Sequence, residues 1–142
     1  MGLIADIADA VVQQLNSHEF SVAFTAERHY SPQYSLAELE ELKVSVVPKG
    51  IEIAPHSRNS LLKTVHVDIG VQKKLDSTSN ESLDTLLALV DEIASFLTGR
   101  NLDTDPKATW SKTENDPIYA QEHLVQFRQF TSVVTLSYKV CT

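Results

Sequence analysis

The stretch Thr64-Val65-His66-Val67-Asp68-Ile69-Gly70-Val71 decides the fold. Val65, Val67, Ile69 and Val71 fall on one side of an extended chain, and Thr64, His66 and Asp68 on the other. That period of two is the mark of a strand buried on one face only. A sheet with one dry face needs a cover, and the flanking sequence supplies two. Downstream, Leu83, Leu86, Leu87, Val90, Ile93, Ala94 and Leu97 repeat at helical spacing. Asn80 or Ser79 stands where an N-cap belongs, Glu81 and Asp84 suit the positive helix end, and Gly99 followed by Arg100 suits its stop. Upstream, Leu3, Ile4, Ile7, Ala8, Val11, Val12 and Leu15 form a second apolar helical face, ended by Asn16 and Ser17.

Further strands are read around this centre. Phe20, Val22, Phe24 and Ala26 alternate with polar residues toward Tyr30, and Pro32 stops the run. Ser35 to Leu42 reads as a loop or a single helical turn. Lys43 to Val47 is a β-branched strand closed by Pro48 and Gly50, with a short strand at Ile51–Ile53 and a loop from Pro55 to Ser60. Ala108 to Thr113 predicts a strand around Trp110, whose expected role is sheet packing. Glu114 to Pro117 has turn composition. The last strand runs from about Phe127 to Val140, with Phe130, Val134, Leu136, Tyr138 and Val140 on one face. Consecutive strands with non-alternating helices predict an α+β fold: a mostly antiparallel sheet with two main helices on one face. The length of the final strand suggests an edge offered to another subunit.

The chain has 142 residues, which fits one α+β domain spanning 1–142. Apolar types make up 42% and charged types 22%, as in ordinary globular chains. Lys and Arg number 12 against 19 Asp and Glu, a net charge of -7, which argues against a dedicated binder of nucleic acid or anionic membrane. No apolar run approaches the ~20 residues of a membrane span. Leu3 to Leu15 is too polar for a secretory leader, so a soluble protein made inside the cell is expected. Cys141 is the single cysteine and cannot form an intrachain disulfide.

The sequence carries few marks of catalysis. His18, His29, His56, His66 and His123 form no helical metal pair, and His18-Glu19 reads as a solvated turn. His66 and Asp68 share a strand face, a common arrangement that needs no metal to explain it. Neither a nucleophile elbow nor a phosphate-binding glycine loop is present. Cys141 has nothing nearby in sequence to lower its pKa.

Charge placement is the one non-random feature. Between Lys43 and Lys74, six basic residues including Lys63, Lys73 and Lys74 outnumber Glu52 and Asp68, a balance of +4. Between Asp76 and Asp105, seven acids including Asp84, Asp91, Glu92, Asp103 and Asp105 outnumber Arg100, a balance of -6. Opposite-signed surfaces suit head-to-tail association of copies. They equally suit neutralisation within one subunit. Asp84, Asp91, Glu92, Lys63, Lys73 and Lys74 are therefore the candidate residues for a subunit interface or a ring lumen.

Four segments together carry a resemblance. They are Ile4 to Ala10 (IADIADA), Val67 to Lys74 (VDIGVQKK), Trp110 with Thr113 to Tyr119 (TENDPIY), and Phe127 to Val133 (FRQFTSV). With this chain length, they resemble a family of small tailed-bacteriophage proteins encoded among the tail morphogenesis genes, over about Leu3 to Val140. Within that group the size and α+β pattern are similar to tail terminator, or tail completion, proteins. The resemblance implies a ring, a hexamer, that caps the finished tail tube and forms the surface joining the head connector. The implied partners are other copies of the chain, the tail tube protein and the head connector or neck protein. DNA is implied only in transit through the lumen, and no membrane is involved. No enzymatic activity and no cofactor are implied. The expected location is the tail or neck of the virion, and the host cytoplasm during assembly. A neck or head-closure protein is the alternative reading, and an unrelated soluble binding module the second.

Overall fold

A computed structural model of the chain describes residues 2–29, 42–75, 80–104, 107–115, 119, 122 and 128–141. The elements run α1 (Leu3–Asn16), β1 (Ala26–Arg28), β2 (Lys43–Ser57), β3 (Ser60–Lys74), α2 (Asn80–Leu97), β4 (Thr109–Asn115) and β5 (Gln129–Cys141). The strands form one sheet in the order β1-β2-β3-β5-β4. β1 lies parallel to β2, and every other pair is antiparallel. The α+β class, with a mostly antiparallel sheet and two helices, is therefore what the chain forms.

The alternation in β3 does what it predicts. Val65, Val67, Ile69 and Val71 are fully buried. The register sets them beside Tyr138, Leu136, Val134 and Ser132 of β5, and Val46 and Val44 of β2 stand opposite Ile69 and Val71. These residues join Ile7, Ala8, Val11 and Leu15 of α1 with Leu86, Leu89, Val90, Ile93 and Leu97 of α2 in one apolar core. α1 packs on β1 and β2, and α2 on β4 and β5. Both helices thus cover the same face, as their single-sided apolar rows require.

α2 ends as its sequence predicts. Gly99 takes φ +79°, the left-handed conformation that a Cβ disfavours. The Arg100 side chain donates through Nε to the Phe96 carbonyl at 2.7 Å, answering one of the open acceptors of the last turn. A Cβ on Gly99 meets no atom within 4 Å, so backbone conformation alone sets the cost of filling it. Gly99→Ala is expected to lower unfolding free energy by about 1–2 kcal/mol, measured by urea denaturation. A variant as stable as the parent would show that the left-handed turn contributes nothing.

Three expectations need correction. The run from Phe20 to Phe24 is not a strand: only Ala26–Arg28 pairs. Phe20 instead packs against Phe24 and Phe96, with ring centroids 5.1 and 5.5 Å apart. His18 is exposed as expected, and its ring also stacks on Phe96 at 4.1 Å. β2 does not stop at Pro48. It continues to Ser57 through a bulge between Pro48 and Gly50, and only Arg58 and Asn59 make the turn into β3. The Val46 carbonyl accepts from His29 N–H of the β1 segment at 3.0 Å. Pro48, two residues on, therefore aims its donor-less nitrogen at the edge past β1, where no described strand pairs with it. Finally, β5 is no edge. It lies between β3 and β4, and β3 pairs along its whole length. Ser35 to Glu41, Ser79 and Asp116–Pro117 lie outside the described residues.

Candidate functional site

The sheet face opposite the helices is polar and internally stapled. His66 Nδ1 lies 2.7 Å from Ser137 Oγ. Thr135 Oγ1 donates to Asp68 Oδ1 at 2.6 Å. These two contacts cross from β3 to β5 at successive rungs, because His66 stands opposite Ser137 and Asp68 opposite Thr135. Glu52 Oε2 of β2 lies 3.9 Å from His66 Nε2, with its side chain 78% exposed. A serine, a histidine and a carboxylate in sequence invite comparison with a nucleophilic triad. The geometry falls short of one. Ser137 is buried between β3, with which it pairs in regular register, and β4, whose bulge between Trp110 and Lys112 stands beside it, and the carboxylate in line with it, Glu52, is 3.9 Å from His66 and largely exposed. The cluster reads as cross-strand hydrogen bonding. Among the described residues no group of three or more His, Cys, Asp or Glu is placed to hold a metal ion.

An open groove of about 580 Å³ beside β1 is lined by Val22, Phe24, Glu27, Leu42, Lys43 and Lys73, among others. The described lining contains one carboxylate and two ammonium groups but no histidine, cysteine or serine. Nothing there converges on a reacting atom. Trp110 is half-buried on β4, where it packs against the core and donates through Nε1 to Thr113 Oγ1 at 2.8 Å.

The charge pattern sharpens in three dimensions. α1 and α2 carry six carboxylates (Asp6, Asp9, Glu81, Asp84, Asp91, Glu92) and no Lys or Arg. The five strands carry eight cations (Arg28, Lys43, Lys49, Lys63, Lys73, Lys74, Lys112, Lys139) against Glu27, Glu52, Asp68 and Glu114. The two layers of the fold are thus oppositely charged. Sequence reading finds the sign change along the chain, but only the topology assigns the signs to layers.

The candidate residues divide accordingly. Asp84 and Asp91 are exposed and lie one above the other on the outward row of α2, with Glu81 and Ala88. Glu92 turns away from them. Its carboxylate accepts from both the backbone N–H and the hydroxyl of Ser21. That contact tethers the Phe20–Phe24 segment to α2 across 71 positions of sequence. Lys63 lies opposite Ile53 on the distal half of β3, whereas Lys73 and Lys74 lie at its other end, beside Phe130 and Gln129. Ten residues of strand put roughly 33 Å between Lys63 and Lys73. The basic block is therefore two patches, not one. Asp103 is exposed, and Asp105 lies outside the described residues. Glu92→Ala is expected to cost about 1 kcal/mol and to speed amide exchange at Ser21 while leaving α2 intact. Unchanged exchange there would show that the tether carries no weight.

No protein-family model and no curated protein matches this chain. A solved structure does: a chain from the virion of a native gene transfer agent (GTA) particle superposes with a TM-score of 0.51, covering 100% of both chains at 14% identity. The two chains share a fold. At that identity the likeness reaches the arrangement of elements and not the individual residues.

Proposed function

We propose that this chain is a non-enzymatic structural protein of a phage-like virion. The observation that carries this reading is the fold shared along its full length with a chain of the gene transfer agent virion. Within a virion we assign it to the end of the tail, as a tail terminator. Copies form a ring, a hexamer, that caps the tail tube and offers its other side to the head connector. Opposite charge on the helix layer and the strand layer supports heterologous contact between copies, the kind that a closed ring needs. Asp84 and Asp91 serve at the subunit junction rather than lining the DNA passage. The resemblance of Val67 to Lys74, Thr113 to Tyr119 and Phe127 to Val133 to tail-gene proteins points the same way.

The experiment is assembly itself. Purified protein, alone and added to terminator-less tails, is expected to give rings by electron microscopy and a multiple of the chain mass by light scattering. Raising salt is expected to loosen the rings, since exposed charge pairs are screened over about 8 Å at physiological ionic strength. Binding to isolated tails rather than to isolated connector rings separates the terminator from a neck or head-closure protein. A strict monomer in solution and in purified virions overturns the reading.

A further inference from the structure

The β2–β3 hairpin outruns the strands beside it. β5 ends its pairing with Cys141 opposite Leu62, and β1 pairs only with Val44 to Val46. Among the described residues the hairpin therefore stands as a two-stranded arm from Pro55 to Leu61, and Ile53 lies at its base, where Lys63 still pairs with Val140 of β5. Ile53 is 58% exposed and Leu61 44%, whereas the other large aliphatic side chains among the described residues are at least partly buried. Ile53 stands opposite Lys63 and Pro55 opposite Leu61, in the same alternation as the core positions Val65 and Val67. The arm thus continues the dry face of the sheet past the point where α1 and α2 cover it. A two-stranded ribbon with apolar side chains this exposed is marginal by itself.

The charges identify what covers it. The arm and its base carry Lys49, Arg58 and Lys63 against Glu52. The outward row of α2 presents Glu81, Asp84 and Asp91 around the small residue Ala88, with no cation anywhere on that helix. We propose that the arm of one copy lies along the outward row of α2 in the next copy. Leu61 and Ile53 sit over Ala88, and Arg58 and Lys63 reach Asp84 and Asp91. The small side chain of Ala88 lets the arm approach, and the flanking carboxylates fix its register. Arm and helix are different surfaces, so the contact is heterologous and its repetition closes a ring. This rests on the ring reading above and names the surfaces that make it.

The test uses the full chain with Cys141→Ser as background. Leu61→Cys together with Ala88→Cys, oxidised, is expected to give a ladder of cross-linked species ending at the ring, while each single cysteine variant stops at a dimer. Arg58→Glu with Lys63→Glu, and separately Asp84→Lys with Asp91→Lys, are expected to raise the concentration for half-assembly at least tenfold. All four changes combined are expected to restore it. All the substituted residues lie at or near the surface, so melting curves should match the parent and keep misfolding out of the comparison. Wild-type rings that give no ladder and ignore both charge reversals overturn this interface and leave the ring standing. A wild-type chain that remains monomeric even on tails overturns both.

Discussion

Leu136→Ala is expected to cost about 3–5 kcal/mol of unfolding free energy. Leu136 is fully buried on β5, with Val67 of β3 on one side and Thr113 of β4 on the other. It lies at the middle of the sheet beneath the helices, where strands on both sides hold the backbone and little can collapse into the space left behind. Removing three buried carbons there loses both transfer free energy and packing contacts. For a chain of this size the melting temperature should fall by roughly 10–15 °C. Val133→Ala is the control. Val133 is three residues away on the opposite face, half-buried opposite Gly70, and its loss should cost about 1 kcal/mol or less. Equal losses in the two variants would mean that the helices do not define the dry side.

Alkaline pH is expected to unfold the protein through Tyr138. This side chain is fully buried, its hydroxyl has no hydrogen-bond partner among the described residues, and burial pushes its pKa well above the ordinary 10.0. In the unfolded chain the phenol ionises near its ordinary value, while in the native state it keeps its proton. The unfolded state therefore binds fewer protons once the pH passes 10. Stability from this group is intact below pH 10 and falls above it by about 1.4 kcal/mol per pH unit. Tyr138→Phe removes the effect. It is also expected to be about 1 kcal/mol more stable near neutral pH, because a buried donor without a partner disappears. Urea titrations of both proteins between pH 8 and 11.5 measure this. Parallel stability profiles would show that Tyr138 reaches water or a proton acceptor.

Much of this architecture can be read from local pattern. α1 and α2 follow from apolar rows wide enough for one face each, and Gly99 marks its turn because few other residues take φ +79° cheaply. β3 and the inner half of β5 follow from strict alternation. The errors have physical causes. Phe20, Val22 and Phe24 alternate because an irregular segment also turns every second side chain inward when it lies over a helix, here against Phe96. Pro48 looks like a stop because sequence does not show which way its nitrogen faces; at the edge past β1 it is harmless. The central place of β5 depends on pairing with β3 and β4, and no local pattern carries strand order. The candidate site divides in the same manner. Exposure of Asp84 and Asp91 is legible in the helical period of α2. The turning of Glu92 toward Ser21 is not, since that contact exists only after the chain has folded back on itself.

The position of β5 also sets a timetable. β2 and β3 are joined by Arg58 and Asn59 alone, so their hairpin closes locally and early. β5 is translated after β4, yet it must enter between β4 and β3, with Gln129 meeting Lys74 across a long intervening stretch. Until it arrives, β4 has no neighbour in the sheet and one whole side of β3 is bare. Such long-range closure is slow relative to hairpin formation. During that interval the β5 of another chain can meet the bare side of β3 in the same antiparallel register, in competition with the chain's own tethered β5 at its higher effective concentration. Refolding at high chain concentration is therefore expected to give more strand-exchanged species than refolding at low concentration, as size-exclusion chromatography would measure.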